Sequence, residues 1–201
     1  MSRIARGLAA AAVLALGICC AASSPGRGAG DEEEARAVKE ARQGILQLTK
    51  MNGGAARTQA KAIADAARKA AGGADEGLKF VMRANKAKAK GGVGVGPKGE
   101  SIELKIIALS KRVSPADAAQ SADLGQIAGI SKAIAEVAVY YTPKAGVAGK
   151  DPKDWTKFTD AMKRGSEELA KAAKGGKAPE IKQAASYLNA SCTNCHSTFR
   201  D

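Results

Sequence analysis

The feature that most limits what this 201-residue chain can fold into is the run Ser191-Cys192-Thr193-Asn194-Cys195-His196. Cys-x-x-Cys-His is the spacing at which a c-type haem is attached. On a helix, two thiols three residues apart lie on one side and can reach the two vinyl groups of a flat ring. The next residue then turns its imidazole toward the iron. His196 is the only histidine in the chain. The remaining residues therefore have to build a wall on the other side of a ring whose iron takes one protein imidazole at most.

Three other chemistries use paired cysteines, and each fits less well. A zinc site needs about four ligands. Once Cys19 and Cys20 are set aside with the leader described next, only Cys192, Cys195 and His196 remain among the Cys and His residues. A thioredoxin-type redox pair belongs in a βαβ unit, whereas this chain reads as helical throughout. A structural disulfide suits an oxidising compartment but has no use for the histidine that follows.

Residues 1–30 read as an export leader and spacer rather than as part of the fold. Arg3 and Arg6 precede the apolar run Leu8 to Ile18, and Ala21, Ala22, Ser23 and Ser24 follow. A basic segment, a short apolar stretch and small residues make a secretory signal, and the apolar stretch is too short to span a membrane. Cleavage is expected near Ala22, giving a signal over residues 1–22, a spacer over 23–30 and one domain over 31–201. Lipid attachment at Cys19 or Cys20 is the rival processing route. The expected location is the periplasm or another exported compartment.

Net charge is +12 over the whole chain; residues 1–30 hold Arg3, Arg6 and Arg27 and no acid, which leaves 29 basic and 20 acidic side chains. About 170 residues suit a single domain with a real core. A lysine-coated helical surface accounts for this charge, and steering toward an acidic redox partner is its functional reading. Nucleic acid is a poor candidate, because aromatics make up 3% of residues and stacking platforms are missing.

Alanine abundance and the lack of strand-type alternation predict an all-α fold. A first helix is expected from about Glu32 to Met51 on the stripe Val38, Ala41, Ile45 and Leu48. A second alanine-rich run covers Ala55 to Ala71, either continuous with the first or separate. Asp75 to Lys90 is a further, weaker helical stretch. Gly91 to Gly99 is a glycine loop, and Ile102 to Val113 a short amphipathic helix. Ser114-Pro115-Ala116-Asp117 marks a helix start, with a stripe running through Leu124, Ile127, Ile130, Ile134, Val137 and Tyr141. Asp151-Pro152-Lys153-Asp154 repeats that start, and Trp155, Phe158, Met162, Gly165 and Leu169 point inward. The last helix opens at Pro179, and its stripe of Ile181, Ala184, Ala185, Leu188, Cys192, Cys195 and Phe199 puts both cysteines on the face that turns toward the core. Gly94-Val95-Gly96-Pro97-Lys98-Gly99 matches the dinucleotide-binding pattern letter for letter, yet no strand precedes it and Pro97 lies inside it. It reads as a mobile connection between helices.

The C-terminal half resembles the class II c-type cytochromes, the cytochrome c′ family. The resemblance rests on Trp155 and Phe158 three residues apart, the hairpin from Leu169 to Pro179, and Cys192, Cys195, His196, Phe199 and Arg200. It implies an antiparallel four-helix bundle, with main helices beginning near Glu32, Ser114, Asp151 and Pro179. Residues 55–113 are then an additional helical and loop insertion between the first and second of them. It also implies one covalent haem c, thioether-linked through Cys192 and Cys195, with His196 as the axial ligand. Arg42-Gln43-Gly44-Ile45-Leu46 is similar to the family's first-helix element, which implies Arg42 beside a haem propionate and Leu46 over the distal iron face. Arg200 is implied near the proximal face. Family members often dimerise through their first helices, so a homodimer is a further expectation.

A leucine lid offers no lone pair, so these roles imply a five-coordinate iron in an electron-transfer protein that also binds neutral NO or CO. Met51, Met82 and Met162 keep a methionine-ligated carrier as the alternative. A non-haem helical surface protein is the remaining one. No nucleophile and base are paired in the sequence, and with His196 committed to iron the usual general base is gone; no enzyme is expected.

Overall fold

The computed structural model describes residues 28–73, 75–145 and 149–199. The expected leader and most of the expected spacer, with Cys19 and Cys20, lie outside the described residues, and so does Arg200. Within them the chain is all α, with eight α-helices and a single isolated β-bridge between Val95 and Glu100. No helix among the described residues is long and apolar enough to cross a membrane.

Helix α1 (Gly28–Leu48) buries Val38, Ala41, Ile45 and Leu48 along the expected stripe. It stops short of Met51, where the backbone tightens to i−3 bonds from the Lys50 N–H to Gln47 at 3.0 Å and from the Met51 N–H to Leu48 at 3.1 Å. Helix α2 (Gly53–Ala70) is a separate element that doubles back on α1. Gly44 marks their closest approach: a Cβ there would lie 2.7 Å from Ile63 Cγ1. The weak helical stretch after it resolves into the five-residue α3 (Leu78–Met82), followed by a 3-10 turn at Arg83–Asn85. The glycine loop is not a loose connection. Val95 is buried and pairs with Glu100 in both directions at 2.9 Å, which closes a tight turn. Gly94 needs its left-handed φ of 68° there, and a Cβ would meet the Gly99 carbonyl at 2.6 Å.

Helix α4 (Ile102–Lys111) is capped by Ser101, whose hydroxyl accepts from the Leu104 N–H at 3.4 Å. Sequence reading placed this helix in an insertion. In the structure it packs extensively on the last helix and buries Ile102, Ile106 and Leu109. The long helix expected from Ser114 is two: α5 (Pro115–Ala119) and α6 (Ser121–Ala138). Gln120, at φ −85° and ψ 53°, breaks the helical path between them. A reciprocal capping box opens α5, with Ser114 and Asp117 each accepting the other's backbone N–H at 3.1 Å. The inward stripe of α6 is as expected, from Leu124 to Val137, and continues to the buried Tyr141.

Helix α7 (Pro152–Gly175) starts where the Asp151 carboxylate accepts from the Lys153 N–H at 2.8 Å. It ends at Gly176 in the left-handed region, after which α8 (Ala178–Phe199) returns along it. The two cross closely, since a Cβ on Gly165 would lie 3.0 Å from Leu188 Cα. Helix α8 lies against α7 and α4, α7 also packs on α6, and α1 and α2 sit against α6. Ile181 and Leu188 are fully enclosed between these neighbours, each stabilising by roughly 1.5–3 kcal/mol relative to exposure.

Candidate functional site

Because α7 and α8 are antiparallel, the C-terminal turns of α8 lie beside the N-terminal turns of α7. Phe199 meets Trp155 edge to face at 4.9 Å between centroids, and Phe158 at 6.2 Å. The Trp155 indole N–H donates to the Ala138 carbonyl at 2.9 Å. Four aromatic and carbonyl groups from three helices thus fix the last turn of α8, in which His196 stands.

Cys192, Cys195 and Phe199 are half-buried at the edge of the core, beyond the fully buried Leu188 and Ser191. The periodicity placed both cysteines on the inward face; the structure puts them on its rim, where the face passes from core to surface. Neither thiol is in a disulfide. Burial pushes the Cys192 thiol up to about 11, reinforced by the charges of Cys195 and Glu103 and opposed by the Ser191 hydroxyl. Burial also raises the Cys195 thiol. Both are therefore neutral thiols at neutral pH. His196 is exposed, one position further round the helix. Among the described residues no group of three or more His, Cys, Asp or Glu side chains is placed to hold a metal ion.

This donor set fits a covalently attached haem. Two reduced thiols within one turn occupy a half-covered rim, and an imidazole follows on the same helix end. Cys192 and Cys195 would supply the thioether links and His196 the axial nitrogen.

The structure does not gather every residue that the resemblance implied. Arg42 is half-buried and Leu46 about one-third exposed (36%), both on α1. Helix α1 packs on α2, α3 and α6, and is not among the helices in extensive contact with α8. Of the three methionines, Met51 follows α1 and Met82 ends α3, each half-buried. Met162 is buried on α7, the helix that faces α8. Its register, between the Trp155–Phe199 and Gly165–Leu188 contacts, falls near Ser191 and Cys192. Sequence reasoning did not anticipate Glu103, on α4, as a neighbour of Cys192. An exposed-looking acid in a ten-residue helix carries no pattern that would reveal its partner.

A cavity of about 250 Å³ opens between α1 and α2, lined by Ala37, Ala41, Gly44, Ile63 and their neighbours. It is formed by those two helices alone and does not reach the cysteines.

No curated protein and no solved structure matches the chain. A family model does: residues 148–200, which contain Trp155, Phe158, Cys192, Cys195 and His196, match the family described as Cytochrome C'.

Proposed function

We propose that this protein is an exported c-type cytochrome carrying one haem, acting in electron transfer and binding NO or CO where the iron's second face is open. The observation that carries the proposal is the pair of reduced thiols on the rim of α8, followed by exposed His196, in the segment that matches Cytochrome C'. When bound, haem supplies a one-electron couple and an iron site for a neutral diatomic ligand. The chain's own residues anchor and orient it. Cys192 and Cys195 would hold the ring covalently, and His196 would offer its imidazole to the iron. The Trp155, Phe158 and Phe199 rings brace the helix end that bears all three, so little rearrangement accompanies electron transfer. The net positive surface favours an acidic redox partner.

Arg42 and Leu46 remain in the proposal as the propionate partner and distal lid that the Arg-Gln element implies. Their helix packs on α2, α3 and α6 and makes no extensive contact with α8. That arrangement makes a methionine-ligated carrier the second reading, with Met162 as the ligand candidate on α7. A four-helix bundle dimerising through α1 belongs to the same family-based proposal.

The decisive test is haem staining on a denaturing gel, since thioether-linked haem survives boiling. A stained band that is lost in the Cys192→Ser/Cys195→Ser double variant is expected, when both proteins are expressed in a host with haem-attachment machinery. A colourless wild-type band overturns the cytochrome reading and leaves a non-haem helical surface protein. On the stained protein, Leu46→Ala should alter the ferrous–CO spectrum if Leu46 covers the iron. A methionine-to-iron charge-transfer band that disappears in Met162→Ala would select the low-spin alternative.

A further inference from the structure

The attachment rim is bordered by one ion pair that the cytochrome reading does not use. Helix α4 packs along α8, and the Ser186 hydroxyl donates to the Ser110 carbonyl at 3.1 Å, which ties the two helices at that point. The charge of Glu103, seven residues back along α4 from Ser110, acts on the Cys192 thiol, six residues forward along α8 from Ser186. Those two points of approach together mean that the helices run in opposite directions there. Lys86 Nζ lies 2.6 Å from Glu103 Oε2.

Both halves of the pair are held by their backbones. Glu103 is in the first turn of α4, just after the Ser101 cap, and Ser101 also donates to the Asn85 carbonyl at 3.2 Å. The Lys86 N–H donates to the Arg83 carbonyl at 2.9 Å. Gly92 lies flat against the Lys86 carbonyl, so closely that a Cβ there would be 1.9 Å from its oxygen. An ordinary half-exposed ion pair contributes little to stability. This one is fixed in place at the edge of a site whose charge changes by one unit when an electron arrives.

We propose that the Lys86–Glu103 pair sets the reduction potential of the group held at Cys192, with Glu103 favouring the oxidised iron and Lys86 opposing it. The inference rests on the cytochrome reading. The carboxylate is on the helix packed against α8, and the ammonium is its ion-pair partner. A negative charge near the ring edge stabilises the more positive oxidised state, and the lysine offsets part of that effect. Because both side chains reach solvent, the effect weakens as salt rises. Lys86 and Glu103 are positioning residues here; neither touches the iron.

The test is a potentiometric titration of the haem-loaded wild type, Glu103→Gln, Lys86→Gln and the double variant, at low and high ionic strength. Glu103→Gln should move the midpoint upward, Lys86→Gln downward, and the double variant should fall between them. All shifts should shrink at high salt. A merely structural role would lower the unfolding temperature of both single variants without shifts of opposite sign. Should either variant misfold, Glu103→Ala and Lys86→Met form the second pair, with the same signs expected. Unchanged midpoints, or shifts of the same sign, overturn the inference. Haem staining of the same samples separates the two readings: an unstained wild type defeats the cytochrome proposal, whereas stained proteins with equal midpoints defeat only this one.

Discussion

The α7–α8 and α1–α2 hairpins are both rich in alanine, and each has a glycine at its closest crossing, yet one is closed and the other is not. At Gly165 the obstacle to a side chain is Leu188 Cα, which is backbone; at Gly44 it is the Ile63 side chain. Along the α7–α8 pair, large side chains from Trp155 and Leu169 on one helix and Ile181 and Leu188 on the other are all buried. Around Gly44 the neighbours are mainly alanines and glutamines, and the 250 Å³ cavity remains. Small residues let two helices approach; large ones further along are needed to seal the interface. The hairpin that carries the attachment residues has both.

The comparison can be broken most directly at Trp155. Trp155→Ala removes the ring against Phe199 and the hydrogen bond to Ala138, and should cost about 3–5 kcal/mol. Ile63→Ala, on the wall of the α1–α2 cavity, should cost only about 2 kcal/mol, because part of its surroundings is already open. Urea unfolding midpoints measure both, and equal losses would show that the two hairpins are packed alike.

A sharper version uses the two glycines. Gly165→Val pushes against backbone and should destabilise by about 2–3 kcal/mol. In Gly44→Ala the Ile63 side chain has to shift, while the helix gains about 1 kcal/mol of intrinsic propensity; the net change should lie within about 1 kcal/mol of zero. Thermal unfolding of the two variants gives the ranking.

A smaller, pH-dependent effect than those at Trp155 and Gly165 concerns how α4 and α5 are tied beside the sealed hairpin. The Ser114 hydroxyl and, less strongly, Lys105 hold the Asp117 carboxyl down at about 2, below its ordinary 3.8. A carboxyl lowered on folding stabilises above its unfolded value, and that stabilisation is lost as pH falls from 3.8 toward about 2. Asp117→Asn should therefore cost about 1–2 kcal/mol at pH 7 and next to nothing at pH 2. Unfolding midpoints across that range check the sign. A loss that persists undiminished at pH 2 would mean that packing, rather than charge, is involved.

How much was legible in the sequence divides along the same line. The stripes of α7 and α8 could be read because large apolar residues recur at helical spacing between strong end markers: Asp151-Pro152 at one end and a glycine turn at the other. Trp155, Met162, Leu169, Ile181 and Leu188 are buried as that spacing requires. The proposed triplet of Cys192, Cys195 and His196 stands out by spacing alone. What could not be read was which helix lies on the free side of α8. Ile102, Ile106 and Leu109 declare an amphipathic helix, but ten residues do not say whose surface they cover. The break at Gln120 was hidden as well, because the stripe begins only at Leu124, past the break, and the backbone departs only locally. In α1, the backbone leaves the α pattern after Leu48 through i−3 bonds at Lys50 and Met51, while the apolar pattern runs on to Met51.

The edge-to-face contact of Trp155 with Phe199 has a consequence for observing the molecule. Trp155 is the only tryptophan in the chain, and its ring touches a residue three positions beyond His196. The protein thus carries one indole fluorophore, which can be excited apart from its three tyrosines, placed at the attachment end of α8. Its emission would be quenched by a haem bound there and would return as the last helix separates from α7. Light from a single side chain would then follow loading of the site and detachment of the helix that bears it, with no label added.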